Sequence, residues 1–350
     1  MEQSGGAMST KRAKPSAAAG EDRLSSLPDE VLVLILLRLG TAAAGRTSVL
    51  SRRWRRVWAL LPELRFPAPP SPYTIASALA AHEAEASLRH LLVEVEDATP
   101  GSVAAWLPAA ARRLSGSLVL RNRAAGENRV DGGEEEDEEA PQGGAIELPC
   151  FERATSVSLP LGFLGLAVPP AGVFARLTEL SLKRVRFRSP FELGDAISSP
   201  RFPCLQKLSV SHARGLQNIA IYSESLLQAE LFYLDRLQQL TIVAPALRRL
   251  LVCGCFARRQ PVANISTPQL RYLSWNEPYD PSSVKLGNLG QVQRLGTNYY
   301  FVYGRQDSRT NRAFLLLLER FPVIHSLQTK LVYPTAYRKS QGMAQGGHRV

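Results

Sequence analysis

The chain has 350 residues, of which 42 are Lys or Arg and 31 Asp or Glu, for a formal net charge of +11. That length accommodates a small module and one large domain, and the four cysteines (Cys150, Cys204, Cys253, Cys255) are too few and too scattered for a disulfide framework. The basic residues are spread widely, with short clusters at Lys11–Lys14, Arg52–Arg56, Lys183-Arg184 and Arg258-Arg259 and no aromatic-interleaved patch, so binding of nucleic acid by a basic solenoid is kept only as the lesser alternative. The thiols read as reduced and buried in a protein of the nucleus or cytoplasm. No apolar signal-peptide core stands at the N-terminus.

Residues 1–20 are rich in Ser, Ala and Gly and read as a disordered leader, with Lys11-Arg12-Ala13-Lys14 a slight nuclear hint. From there the helical pattern is dense. Pro28 suits a first helical position, where its missing N–H costs nothing, and Asp29 and Glu30 suit the positive end of the helix dipole. Gly40 suits a left-handed C-terminal stop. Between them, Val31 to Leu37 is apolar on every side, too short to cross a bilayer and too apolar for a helix with one buried stripe. Such a helix needs two burial partners: its own module, and either a second chain or the domain that follows. A second helix is expected from Ala42 and a third over Arg52–Leu61, with Trp54 and Trp58 on one face. Three short helices bury little core alone. An ordinary helical subdomain packed on its own chain satisfies the same pattern.

The segment over residues 21–66 resembles the F-box in Leu27-Pro28-Asp29-Glu30, Ile35, Leu39, Arg46 and the run Ser48-Val49-Leu50-Ser51-Arg52-Arg53-Trp54. The resemblance implies a three-helix module that docks on a SKP-family adaptor and through it on cullin. The adaptor contacts it implies are Leu27, Pro28, Leu32, Ile35, Leu36, Leu50 and Trp54. Gly40, where proline is usual, and Ala42–Ala44, where a more polar turn is usual, depart from the family pattern in the loop between helices.

Residues 67–87, opening on a proline-rich break at 67–72, are expected to be a linker. Leu88–Val95 reads as a strand, Val103–Leu114 as a helix and Leu118–Leu120 as a second strand. Residues 124–145, with the acidic run Glu134–Glu139, are expected to be a disordered insertion. Beyond residue 150 a pattern L-x-x-L-x-L recurs, starting at Leu177, Leu205, Leu216, Leu226, Leu237, Leu247 and Leu270. From Leu205 to Leu247 the steps are 11, 10, 11 and 10 residues. Two steps fall within the leucine-rich-repeat period, which predicts two extended segments per coil, one on each side of a thin solenoid. The first and fourth positions should face inward, while Gln206, Lys207, Arg248 and Arg249 face outward. The repeats fade after Leu273, a last strand and helix are expected near Tyr299–Phe301 and Ala313–Phe321, a final strand over Ser326–Val332, and residues 334–350 read as a tail.

The predicted fold is α+β: an N-terminal three-helix F-box followed by an irregular leucine-rich-repeat α/β solenoid over residues 88–333. That arrangement resembles the plant F-box/LRR family. It implies a substrate-recognition subunit of an SCF-type ubiquitin ligase, with an unknown target held on the repeats, or alternatively a scaffold or decoy outside a ligase. No catalytic residue, cofactor or metal ligand is nominated. His82, His90, His212, His325 and His348 stand in no nucleophile or zinc motif, and phosphate-binding glycine loops are missing from the sequence.

Overall fold

The computed structural model describes residues 24–333, apart from 25, 68–69, 83–87, 124–143, 170, 189–192, 194–196, 198–199, 235, 258–259, 303–307 and 322. The expected leader, the expected tail and nearly all of the expected acidic insertion lie outside the described residues. Ala145, placed in that insertion by its sequence, opens a strand.

Three helices stand first: α1 (Asp29–Leu39), α2 (Thr41–Thr47) and α3 (Arg52–Ala59). Pro28 is the cap of α1, with φ −59° and ψ 153°, one position earlier than expected. Gly40 has positive φ as expected, but its ψ of 157° is extended rather than left-handed helical. It both ends α1 and caps α2, so a single residue turns the chain between two helices.

The strand β1 (Glu63–Phe66) follows α3 directly and pairs in parallel with β2 (Leu88–Glu96). The segment between them is no simple linker, because it contains α4 (Pro72–Ala81), which buries Ile75 and Leu79 completely. Ser71 accepts a hydrogen bond from the Thr74 N–H at 3.2 Å, and Pro72 occupies the first turn. The proline thus starts a helix rather than stiffening a spacer. Likewise the single helix expected over Val103–Leu114 is two, α5 (Pro100–Ala104) and α6 (Leu107–Arg113). Pro108 lacks the N–H that would bond back to Ala104 and breaks the helix there. Leu114 instead begins β3 (Leu114–Arg123).

The repeat region alternates between two sides. Strands β5 (Ser156–Pro160), β7 (Glu179–Lys183), β9 (Lys207–Ser211), β11 (Gln228–Phe232), β13 (Arg249–Cys253), β15 (Tyr272–Asn276), β17 (Arg294–Phe301) and β18 (Ser326–Val332) join β1–β3 in one 11-stranded sheet. The interleaved strands β10 (Asn218–Tyr222), β12 (Gln239–Val243), β14 (Ala263–Ser266) and β16 (Val284–Leu286) form a second sheet of four. Short strands β4 (Ala145–Glu147), β6 (Gly165–Ala167) and β8 (Arg186–Phe187) form a third. All pairings are parallel. The half-period leucine copies therefore mark opposite walls of a solenoid: Lys207, Gln228 and Arg249 stand in register on one wall, and Asn218 and Gln239 on the other.

The physical cause is burial at period two within each strand and stacking between coils. In the seven repeat segments the first and fourth positions are all buried, as in Leu205 and Leu208 or Leu247 and Leu250. The sixth position joins them, as in Val210, Val252 and Trp275. The coil also continues past Leu273: Val292 and Leu295 take the first and fourth places, but Thr297 replaces the sixth aliphatic residue, which hides the motif. The helix α7 (Ser308–Glu319) lies against β17, and β18 closes the described sheet.

Candidate functional site

The N-terminal helices are tied together by few, specific bonds. Arg53 of α3 pairs with Asp29 at 2.8 Å and also donates to the Leu27 carbonyl, so one guanidinium holds the start of α1. Ser51 caps α3 by accepting from the Trp54 N–H at 3.3 Å. Thr41 Oγ1 accepts from the Arg65 N–H at 2.6 Å and fastens α2 to β1. At the far end of α2, the Thr47 hydroxyl donates to the Ala44 carbonyl at 2.7 Å and the Ser48 hydroxyl to the Gly45 carbonyl at 2.6 Å.

On this frame α1 shows two apolar stripes. Leu32 and Leu36, one turn apart, are 1% and 0% exposed and belong to the core. Both are among the expected adaptor contacts, and here their side chains face the core of the chain itself. The opposite stripe is open. Val31, Leu34 and Leu39 project to solvent, Leu34 at 62% exposure. Val49 and Leu50, in the turn between α2 and α3, are 81% and 72% exposed. Pro28 is exposed, whereas Leu27, Ile35 and Trp54 are half-buried against the core. Of the seven nominated residues, Leu50 and Pro28 are thus open, three are partly available and two are not. Val31, Leu34, Leu39 and Val49 are not among the nominated contacts, although Leu39 and Val49 belong to the pattern that carries the resemblance. For the three on α1 the signal was present: a helix apolar all round must turn a second stripe outward when the first is buried.

The second candidate surface is the outer face of the long sheet. Adjacent coils place Glu63, His90, Ser117, Ser156, Glu179, Lys207, Gln228, Arg249, Tyr272 and Arg294 in one lateral row. Glu179 and Lys207 pair at 2.8 Å, and that hydrogen bond pushes the Lys207 ammonium above its ordinary pKa. The Arg249 guanidinium lies 4.6 Å from the centre of the Tyr272 ring. Arg121 and Arg123 both hold Glu94 at 2.8 Å. The neighbouring row, Ser158, Ser181, Ser209, Glu230, Leu251, Ser274 and Gly296, is made mostly of small side chains. A partner can approach such a strip of backbone closely, between rims of charge. Gln206, Arg248 and Arg249 are exposed and Lys207 is half-exposed.

Catalytic geometry is sparse. His82 is buried with Nε2 2.7 Å from the Leu61 carbonyl, a structural bond. His90 Nδ1 lies 2.8 Å from the Ser117 hydroxyl on the exposed sheet face. Among the described residues no three His, Cys, Asp or Glu side chains are grouped as metal ligands. Burial pushes the Cys255 thiol up to about 12, with a smaller contribution from the charge of Glu277. No described helix is long and apolar enough to cross a membrane.

Residues 24–66 match the F-box domain family. Over 318 residues, 85% of its length, the chain is 28% identical to a putative F-box/FBD/LRR-repeat protein of Arabidopsis thaliana. It is 27% identical over 266 residues, or 73% of its length, to another protein of that description from the same plant. A third is 56% identical over 46 residues, 13% of this chain and 10% of the relative. The chain spans 60% and 53% of the length of the first two. No solved structure matches it.

Proposed function

We propose that this chain, which carries an F-box domain at residues 24–66 and is related over most of its length to plant F-box/LRR proteins, is the substrate-recognition subunit of an SCF-type ubiquitin ligase. The F-box helices bind a SKP-family adaptor, and through it cullin. The outer face of the repeats binds a target protein. The chain itself does no bond chemistry; it raises the local concentration of the target near a ubiquitin-loaded enzyme. It acts in the nucleus, the cytoplasm or both.

One observation carries this reading: the large apolar side chains Leu34, Val49 and Leu50 stand open on a small helical module whose own core is already filled by Leu32, Leu36, Ala44 and Val57. Exposed apolar surface of that kind marks an interaction site. Contact candidates are Pro28, Val31, Leu34, Leu39, Val49 and Leu50, with the half-buried Leu27, Ile35 and Trp54 at the margin. Capture of a SKP-family adaptor by the full chain tests the proposal. Wild type should retain the adaptor, and Leu34→Asp with Leu50→Asp should weaken capture at least tenfold without lowering the melting temperature. Equal capture by both proteins, or by neither, defeats it.

A further inference from the structure

Where β13, β15 and β17 begin, three successive coils carry a block of positive charge. Arg249, Tyr272 and Arg294 open these strands and stand in register on the outer face. Arg248 and Arg271 come one residue earlier in the chain. The Arg248 carbonyl accepts the N–H groups of Arg271 and Tyr272, both at 3.0 Å. The Arg271 carbonyl accepts those of Gln293 and Arg294 at 2.9 and 3.1 Å. These bonds stack the positions coil upon coil, at a strand spacing of about 4.8 Å. Arg248, Arg249, Arg271 and Arg294 are all exposed.

No described residue balances them. Among the described residues, Arg248, Arg271 and Arg294 enter no ion pair or side-chain hydrogen bond, and the side chain of Arg249 meets only the Tyr272 ring. The sequence has no acidic residue between Asp235 and Glu277, nor between Asp280 and Asp307. Glu230, on the adjoining strand β11, accepts from Gln228 at 2.6 Å and acts on Lys207. Earlier in the same row Glu179 pairs with Lys207, and beyond Arg294 stands the uncharged Ser326. The block is therefore bounded, about 10 Å across from Arg249 to Arg294. Like charges on adjoining strands destabilise a sheet, so folding gains nothing from it, and an anion brought from outside would offset the cost.

The surroundings suit a peptide. The Arg249 guanidinium is held over the Tyr272 ring, an arrangement that leaves guanidinium N–H donors for a carboxylate or phosphate. Two residues further along each strand, on the same face, come Leu251, Ser274 and Gly296. A Cβ at Gly296 would sit 2.9 Å from the Ser274 Oγ, so the strip beside the arginines is low enough for a main chain to lie along it. We infer that the outer face at Arg248, Arg249, Arg271 and Arg294 binds a short extended segment of the target that carries adjacent negative charges, carboxylate or phosphate. The inference rests on the reading of the chain as a target receptor and names the chemistry that the receptor selects. The width favours a peptide over a nucleic acid: about 10 Å matches about three residues of extended chain, whereas a phosphate backbone is followed by a longer basic groove with stacked aromatic rings.

The test is calorimetric titration of the full chain with acetyl-Gly-Glu-Asp-Glu-Gly-amide and with the same peptide carrying phosphoserine in place of the aspartate. Saturable binding of at least one is expected, weakening as salt is raised. Binding of both assigns the face to acidic segments, and binding of the second alone to phosphorylated ones. The neutral Gln-Asn-Gln counterpart should bind at least tenfold more weakly. Arg249→Gln with Arg271→Gln should cost at least tenfold in affinity. Arg55→Gln with Arg56→Gln, exposed on α3 and equal in net charge, should cost nothing; unchanged melting temperatures establish that both variants fold. No saturable binding, equal binding of the neutral peptide, undiminished binding by the Arg249/Arg271 variant, or equal loss in the two variants overturns the inference. An oligothymidylate that binds at least tenfold more tightly than either peptide, and is weakened by the same exchange at Arg249 and Arg271, assigns the face to nucleic acid and overturns the peptide reading. Adaptor capture by the same preparation separates the two levels: capture without peptide binding rejects only this inference, and loss of capture rejects the receptor reading beneath it.

Discussion

Gly40 shows how much one residue decides. Its φ of 74° and ψ of 157° lie in a region that residues with a Cβ almost never enter, although the space around it is open. Conformation, not room, excludes a side chain. Gly40→Ala should therefore destabilise the protein by about 1–3 kcal/mol, read as a lower denaturant midpoint with an unchanged slope, and proline, fixed near −65°, should be worse. The departure from the F-box pattern at this position thus falls on a residue whose backbone conformation suits glycine. The cysteines give a second test. Cys204 is exposed and Cys255 is buried with its thiol pushed up to about 12. Alkylation of the native protein at pH 8, followed by mass spectrometry, should label Cys204 and spare Cys255. A folded pKa above the usual thiol value also means that the contribution of Cys255 to stability holds below pH 9 and is lost as pH climbs towards 12. Sequence placed Gly40 at a helix stop correctly because glycine alone relieves that steric limit. It could not tell Leu32 from Leu34, because both sit in a run with no polar residue to mark a face.

Among the elements, the repeat strands were the most legible and the helices beside them the least. Each leucine of the L-x-x-L-x-L pattern meets its counterpart one coil away, so spacing and burial have the same cause. Leu250, fully buried between Ala229 and Leu273 of the adjoining strands, should cost about 2–5 kcal/mol when cut to alanine, measured by chemical denaturation. The start of β17 was missed because Thr297 breaks the aliphatic signature while the backbone register persists. The helix α4 was missed because prolines on both sides of Ser71 suggested a spacer, whereas Ser71-Pro72 is a cap and first turn. At α3, Ser51→Ala removes the acceptor of the Trp54 N–H and should cost about 1 kcal/mol. That loss should appear as a lower melting temperature, with adaptor capture preserved at temperatures where the variant stays folded.

At the level of the whole molecule, the boundary drawn at residue 66 is a boundary of family resemblance and not of structure. The strand β1, inside the F-box segment, supplies the first strand of the 11-stranded sheet, and its Leu64 and Phe66 are buried. A fragment ending at residue 66 loses the partner strand β2 and exposes both side chains. It should unfold less cooperatively, by circular dichroism, than the same helices retained in the full chain. Adaptor capture is accordingly measured on the full chain. The candidate surface was legible in kind, since an over-apolar helix asked for a second partner, but not in its residues, which only the packing of α1 on α2 and α3 assigns.

The shared strand has a mechanical consequence. Between the open leucines of α1 and the last coils, a continuous hydrogen-bonded sheet runs from β1 to β17. The protein is built as a one-piece caliper. Under the proposed role, a seated target is presented at a set distance and angle, so that the lysines modified are those that fall within reach of that fixed gap, whatever their intrinsic reactivity.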